Sequence, residues 1–263
     1  MSKKLTINSI KKLKNERKIT MITAYDALFA KLFGDIADII LVGDSLNMIF
    51  GGKGDTLSIS LDEMIYHTAA VCRGAQKSFI ICDMPFGTYT DETTALQNAL
   101  KVYQNTPADA IKIEGGKERA HIVKHLTQNG IAVCGHIGLL PQSVRGEGGY
   151  IVKGKDSDSA HKLLQDALAV EAAGAFCIVI EGVKADVAAA ITKKIGVPVI
   201  GIGAGADVDG QVLVFADMLG LFEEFTPKFV KKYLDGAALI KSAVRTYKKE
   251  VESGEFPDAI HTY

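Results

Sequence analysis

The chain is short of the features that announce many other kinds of protein. It has four cysteines in 263 residues, Cys72, Cys82, Cys134 and Cys177, and no CxxC spacing among them. That argues against a disulfide framework or a zinc site; free thiols of this kind behave as small buried hydrophobes and suit a reducing compartment. No apolar run approaches the ~20 residues of a membrane span. The basic start, Met1-Ser2-Lys3-Lys4-Leu5, leads into mixed sequence rather than the apolar segment of a secretory signal. Charge of one sign is missing too: 30 Lys+Arg against 31 Asp+Glu leave a net charge of −1, with no basic stripe for nucleic acid. GxSxG, HExxH and P-loop motifs are absent. The expectation is a soluble cytoplasmic protein that binds neither nucleic acid nor membrane.

What is there is alternation. Strand-like runs at 19–24, 38–43, 78–83, 109–114, 131–136, 176–181 and 197–202, with a weaker one at 211–215, are separated by amphipathic stretches. The clearest of these are Leu61–Arg73, Thr93–Gln104, Lys117–Gln128, Ala160–Ala173 and Lys184–Lys194. Strands alternating with helices imply a parallel sheet. Eight such units at this length predict a closed (β/α)8 barrel formed as a single domain over residues 1–263. Within residues 1–18, a helix over Thr6–Asn15 is expected to cap the barrel floor. Lys228–Glu252 reads as two helices, and 254–263 as an unstructured tail. The longest break, Ile137–Ser159, holds Gly146, Gly148, Gly149 and Gly154. It reads as a lid over the active edge or, alternatively, as a disordered surface insertion.

Four of the strand-like runs end in an acid: Asp44, Asp83, Glu114 and Glu181. A carboxylate at the end of a buried parallel strand emerges at the edge where α/β proteins bind ligands. Side chains alternate along a strand, so Lys112 and Glu114 share a face. That face is the lumen, since an outward lysine would be buried under helices. An internal salt bridge and a functional pair both satisfy this placement. Several converging carboxylates repel one another unless a cation or protons relieve them. Hard oxygen donors with few histidines select Mg2+, completed by water and an oxyacid substrate. His136, at the end of Val133-Cys134-Gly135-His136, is either a hydrogen-bonded packing residue or part of the site. His67 reads as structural, and His121, His125, His161 and His261 as surface residues. Gly201-Ile202-Gly203-Ala204-Gly205 offers room for a bulky ligand; no dinucleotide fingerprint surrounds it.

Taken together, certain stretches closely resemble the ketopantoate hydroxymethyltransferase family. They are Thr20–Asp26 (TMITAYD), Leu41–Leu46 (LVGDSL), Tyr66–Gly74 (YHTAAVCRG), Asp83–Phe86 (DMPF), Ile111–Gly116 (IKIEGG), Cys134–Ser143 (CGHIGLLPQS), Gly148–Tyr150 (GGY), Leu168–Gly174 (LAVEAAG), Pro198–Gly205 (PVIGIGAG), Pro227–Phe229 (PKF) and Glu252–Pro257 (ESGEFP). The resemblance implies a (β/α)8 barrel that moves a one-carbon unit from 5,10-methylenetetrahydrofolate to 3-methyl-2-oxobutanoate, giving 2-dehydropantoate on the route to pantothenate and coenzyme A. It implies one Mg2+ per subunit on Asp44 and Asp83, with Glu114 joining through water. Substrate contacts fall on Asp44, Ser45, Asp83 and Lys112, the general base on Glu181, and His136 is a candidate supporting residue. A homo-oligomer, a decamer, is implied as well. The chain departs from the family at Ala216-Asp217, where many relatives have His-Asp, at Gly182-Val183-Lys184 after Glu181, and at Ile260-His261 near the end. Two competing readings are a Mg2+-dependent lyase or mutase of the phosphoenolpyruvate-related barrels, and a barrel that has lost activity and serves as a scaffold. The first is disfavoured because the loop Gly138–Gly149 carries no cysteine.

Overall fold

The computed structural model describes residues 4–223 and 225–263. They form two compact units, divided between Val214 and Phe215. In the first, eight strands run β1 Ile19–Thr23, β2 Ile39–Val42, β3 Phe79–Asp83, β4 Ala110–Glu114, β5 Val133–Gly138, β6 Cys177–Glu181, β7 Val199–Ile202 and β8 Gly210–Leu213. All pair in parallel and in chain order, and β8 returns to β1, so the barrel is closed. The expected (β/α)8 fold is present, and the weak eighth strand exists, starting one residue and ending two residues earlier than its pattern suggested.

Alternation decides what fills the lumen. Ile19, Met21, Ile39, Leu41, Phe79, Ile81, Ala110, Cys134, Cys177, Val179, Ile200 and Val212 belong to one buried cluster. The helix Ile7–Leu13 adds Ile10 and Leu13 to it, plugging the floor as anticipated. Thr6 and Ser9 form a reciprocal capping box at its start, a feature worth about 1 kcal/mol. The same inward parity carries Asp83, Lys112, Glu114, His136 and Glu181 to the upper end of the lumen. There the apolar fill gives way to charge.

The outer helices follow their patterns. Leu61–Gly74 buries Leu61, Met64, Thr68 and Val71, and Ser60 with Glu63 forms its capping box. Glu92–Asn105 is capped by Asp91 and Ser157–Ala172 by Asp156. Ala27–Phe33 is a helix that periodicity did not reveal, because Leu28 and Leu32 are exposed while only Ala30 is buried.

The segment after β5 is ordered, contrary to the alternative of a disordered insertion. It forms a 3-10 turn at Pro141–Ser143 and one helical turn at Val144–Glu147, closed by Gly148 with φ 75°. Gly138, at φ 100°, lets the chain leave β5 against β6; a Cβ there would lie 2.3 Å from the Glu181 carbonyl oxygen.

In the second unit, one helix, Gly236–Ser253, replaces the two expected over Lys228–Glu252. The backbone donors of Tyr233 and Gly236 pair instead with the carbonyls of Met218 and Leu219, so the preceding residues have no ladder to join. The tail is also partly ordered, with a 3-10 turn at Ala259–His261 held by Asp258. No helix among the described residues is long and apolar enough to cross a membrane.

Candidate active site

Parallel register sets the site. Asp83 lies beside Lys112 across β3 and β4, Glu114 beside His136 across β4 and β5, and Glu181 beside Gly138 across β5 and β6. Lys112 Nζ sits 3.1 Å from Asp83 Oδ1 and 3.1 Å from His136 Nδ1. His136 Nδ1 is 3.5 Å from Glu114 Oε1, and its Nε2 is 3.3 Å from Glu181 Oε2. Asp44, just beyond β2, donates its backbone N–H to Asp83 Oδ2 at 3.0 Å. Ser45 Oγ lies 2.7 Å from Tyr25 Oη. The structure thus brings together every residue that the sequence nominated for the site: a chain of polar contacts runs from Asp44 through Asp83, Lys112 and His136 to Glu114 and Glu181, and Ser45 adjoins Asp44.

Exposure divides these groups. The side chains of Asp83, Lys112, Glu114 and His136 are 3–5% exposed, whereas that of Glu181 is 19% exposed. Burial, reinforced by the negative charges of Asp83 and Glu114, pushes the Asp44 carboxyl well above the usual carboxylate range. Burial raises Asp83 as well, against the pull of Lys112. Glu114 is held low despite its burial, through His136 and Lys112. The Lys112 ammonium is stabilised far above its ordinary pKa, since Asp83, Glu114 and Asp44 together outweigh its desolvation. For His136, burial and Lys112 favour the neutral ring, but Glu114 and Glu181 raise its pKa to about 9. A neutral ring accepts from Lys112 at Nδ1; a protonated one turns that atom's proton toward Glu114.

Two further residues complete the site, and pattern reading did not find them. Gln142, brought in by the turn after β5, donates Nε2 to Asp44 Oδ2 (2.8 Å) and to the Met84 carbonyl (3.0 Å), while its backbone N–H donates to Glu114 Oε2 (3.0 Å). Tyr89 donates its hydroxyl to Gln142 Oε1 and accepts the Glu114 N–H at 3.3 Å. A signal existed, since Gln142 lies within the stretch Cys134–Ser143, but nothing in its periodicity marks it as buried. His67 is an accessory group, its Nδ1 2.5 Å from the Tyr25 carbonyl oxygen.

The oxygens also suit a hard cation. Asp83 Oδ1 and Glu114 Oε1 are buried and, beyond their ion-pair contacts with Lys112 and His136, accept no well-aligned hydrogen bond, and the charge of Asp83 beside Asp44 disfavours their joint ionisation. Among the described residues no three acid, histidine or cysteine side chains gather tightly enough to hold an ion by themselves. A hard cation held by two carboxylates would draw the rest of its ligands from water and substrate oxygens.

A closed parallel barrel with ionisable groups converging at the C-terminal ends of its strands is the architecture of a (β/α)8 enzyme. The sequence pattern of the ketopantoate hydroxymethyltransferase family matches residues 4–259, and the chain belongs to that family. A 3-methyl-2-oxobutanoate hydroxymethyltransferase of Sulfurimonas denitrificans is 66% identical over 100% of both chains. One of the same name from Aliarcobacter butzleri is 60% identical over 99% of this chain and 97% of its own. Among solved structures, a phosphonopyruvate hydrolase complexed with oxalate and Mg++ superimposes with a TM-score of 0.63, at 14% identity over 98% of this chain and 93% of the other. A 2,3-dimethylmalate lyase gives 0.62 at 14% identity, over 97% and 87%. These two share the fold alone.

Proposed function

We propose that the chain transfers a one-carbon unit from 5,10-methylenetetrahydrofolate to C3 of 3-methyl-2-oxobutanoate, forming 2-dehydropantoate and tetrahydrofolate. The observation that carries this reading is the convergence of Asp44, Asp83, Glu114 and Glu181 around Lys112 and His136 in a barrel of this family. The C3 proton is too weakly acidic for an unaided carboxylate, so charge on the 2-oxo group needs stabilisation as it develops. Asp44 and Asp83 would hold one Mg2+, with Glu114 bound through water. The chemistry such an ion supplies when bound is Lewis-acid withdrawal of charge from the 2-oxo group.

The chain's own residues do the rest. Lys112 balances the substrate carboxylate, and Ser45, oriented by Tyr25, hydrogen-bonds it. Glu181 takes the C3 proton; of the four acids it is the one whose side chain keeps appreciable exposure, and His136 fixes its direction. Water adds to the methylene carbon of the donor, both of its carbon–nitrogen bonds break toward nitrogen with the water protons going to the two nitrogens, and the carbon is released as formaldehyde within the site. The electron pair released at C3 attacks that carbon, and its oxygen takes the proton held by Glu181 to become the new hydroxyl. The turn carrying Gln142 acts as a lid that keeps water from returning the proton to C3. We place the enzyme in the cytoplasm as a homo-oligomer, a decamer. Ile240, Val244, Tyr247 and Val251 leave an apolar stripe exposed along Gly236–Ser253, which supports assembly.

Deuterium exchange at C3 of 3-methyl-2-oxobutanoate, with Mg2+ and without folate, tests the reading. Wild type should exchange rapidly, and Glu181→Gln should lose on the order of 100-fold or more. Equal rates would remove Glu181 from the role of base.

A further inference from the structure

The barrel mouth opens into a cavity of about 630 Å3 whose lining includes Leu57, Ser58, Phe86, Gln142, Arg145 and Glu147. Gln142 is a shared wall: its amide holds Asp44, and the residue also lines this space. Whatever occupies the cavity therefore lies against the acid cluster. The volume falls in the range of sites for ligands much larger than a five-carbon oxo acid, and the oxo acid already has its contacts among the acids.

The lining has a definite chemistry. Phe86, three residues after Asp83, is 55% exposed and offers a flat apolar face beside Leu57. Around it the charged groups are pinned. Arg145 commits Nε and Nη2 to Asp55 Oδ2 at 3.2 and 2.7 Å, and Lys153 anchors Glu147. A flat apolar platform with a carboxylate and a guanidinium at its rim matches a fused bicycle with one flat nitrogen heterocycle that bears N–H donors, and an anionic tail. We propose that this cavity seats the pterin of the one-carbon donor on Phe86, with Glu147 receiving the donor edge of the ring and Arg145 facing the acidic tail. This rests on the reaction proposed above.

The test separates the two. Tetrahydrofolate binding is measured by titration without oxo acid, and C3 exchange of 3-methyl-2-oxobutanoate is measured without folate, for wild type, Phe86→Leu and Phe86→Tyr. The proposal expects Phe86→Leu, which keeps apolar volume but loses the aromatic face, to weaken tetrahydrofolate binding about tenfold, and Phe86→Tyr to restore it. 6-Methyltetrahydropterin, which has no acidic tail, should show the same dependence on Phe86. Unchanged tetrahydrofolate binding in Phe86→Leu, with exchange intact, overturns the subsite and leaves the reaction standing. Dependence of binding on Phe86 in an enzyme that fails to exchange C3 supports the subsite and overturns the reaction.

Discussion

Gln142 Nε2 donates to Asp44 Oδ2 at 2.8 Å, joining the turn after β5 to the acid after β2. The amide cannot flip without loss. Its oxygen accepts from Tyr89, and its nitrogen also serves the Met84 carbonyl. Folding of the turn and orientation of Asp44 are thus one event.

Gln142→Ala should therefore lower the C3 exchange rate and the Mg2+ affinity by about 10- to 100-fold, the range seen when partners of metal-ligating groups are removed. Tyr89→Phe should act in the same direction and more weakly. The double variant should fall short of the sum of the two, because both act through one amide. Calorimetric Mg2+ titration with exchange kinetics checks this; full additivity would show that the two residues act separately.

Lys112 is buried among Asp83, Glu114 and Asp44, which hold it charged. Lys112→Met leaves those carboxylates without their cation. Breaking a buried pair from one side costs about 3–5 kcal/mol, and urea denaturation at pH 7 should show a loss of that order. Wild-type stability in the variant would mean that the acids are already protonated.

At the barrel floor, Arg17 donates Nη2 and Nη1 to Asp38 Oδ1 and Oδ2 at 2.6 and 2.8 Å, and Thr20 adds its N–H and hydroxyl. Burial opposes the charge, yet these partners hold the Asp38 carboxyl below its usual value. A depressed folded pKa contributes stability that is complete above the unfolded value of about 3.9 and is lost as pH falls through the folded one. Asp38→Asn should cost roughly 1–2 kcal/mol at pH 7. Its gap from wild type should close below about pH 3.9. Thermal melts of both proteins across pH 2–7 measure the gap directly.

Cys72, Cys82, Cys134 and Cys177 are free and buried, and burial raises Cys72 to about 11 and Cys82 to about 12. A thiol reagent should leave all four unmodified in the native protein and label all four in denaturant. Rapid native labelling would contradict the burial.

The apolar stripe of Gly236–Ser253 supplies a test of assembly. Light scattering should report a large homo-oligomer, and Val244→Asp should shift it to smaller species. A monomeric wild type would rule out the decamer.

Much of the fold was legible because β-branched runs and amphipathic stretches report burial along a single element. The eight strands and the acids at their ends were readable on that basis, as was the shared face of Lys112 and Glu114. Helix Ala27–Phe33 escaped because its leucines, Leu28 and Leu32, are exposed, and Lys228–Glu252 misled because backbone donors within it found carbonyls elsewhere.

The linear sequence determined which side chains reach the upper end of the lumen, since alternation along a strand leaves no other choice. Only the tertiary structure decided how they pair. Asp83 meets Lys112 and Glu114 meets His136 because the parallel register of neighbouring strands sets their heights. Gln142 joins them because a loop without periodicity folds back over the barrel mouth. Periodicity describes one element at a time, whereas contacts between elements depend on register and on the path of the loops.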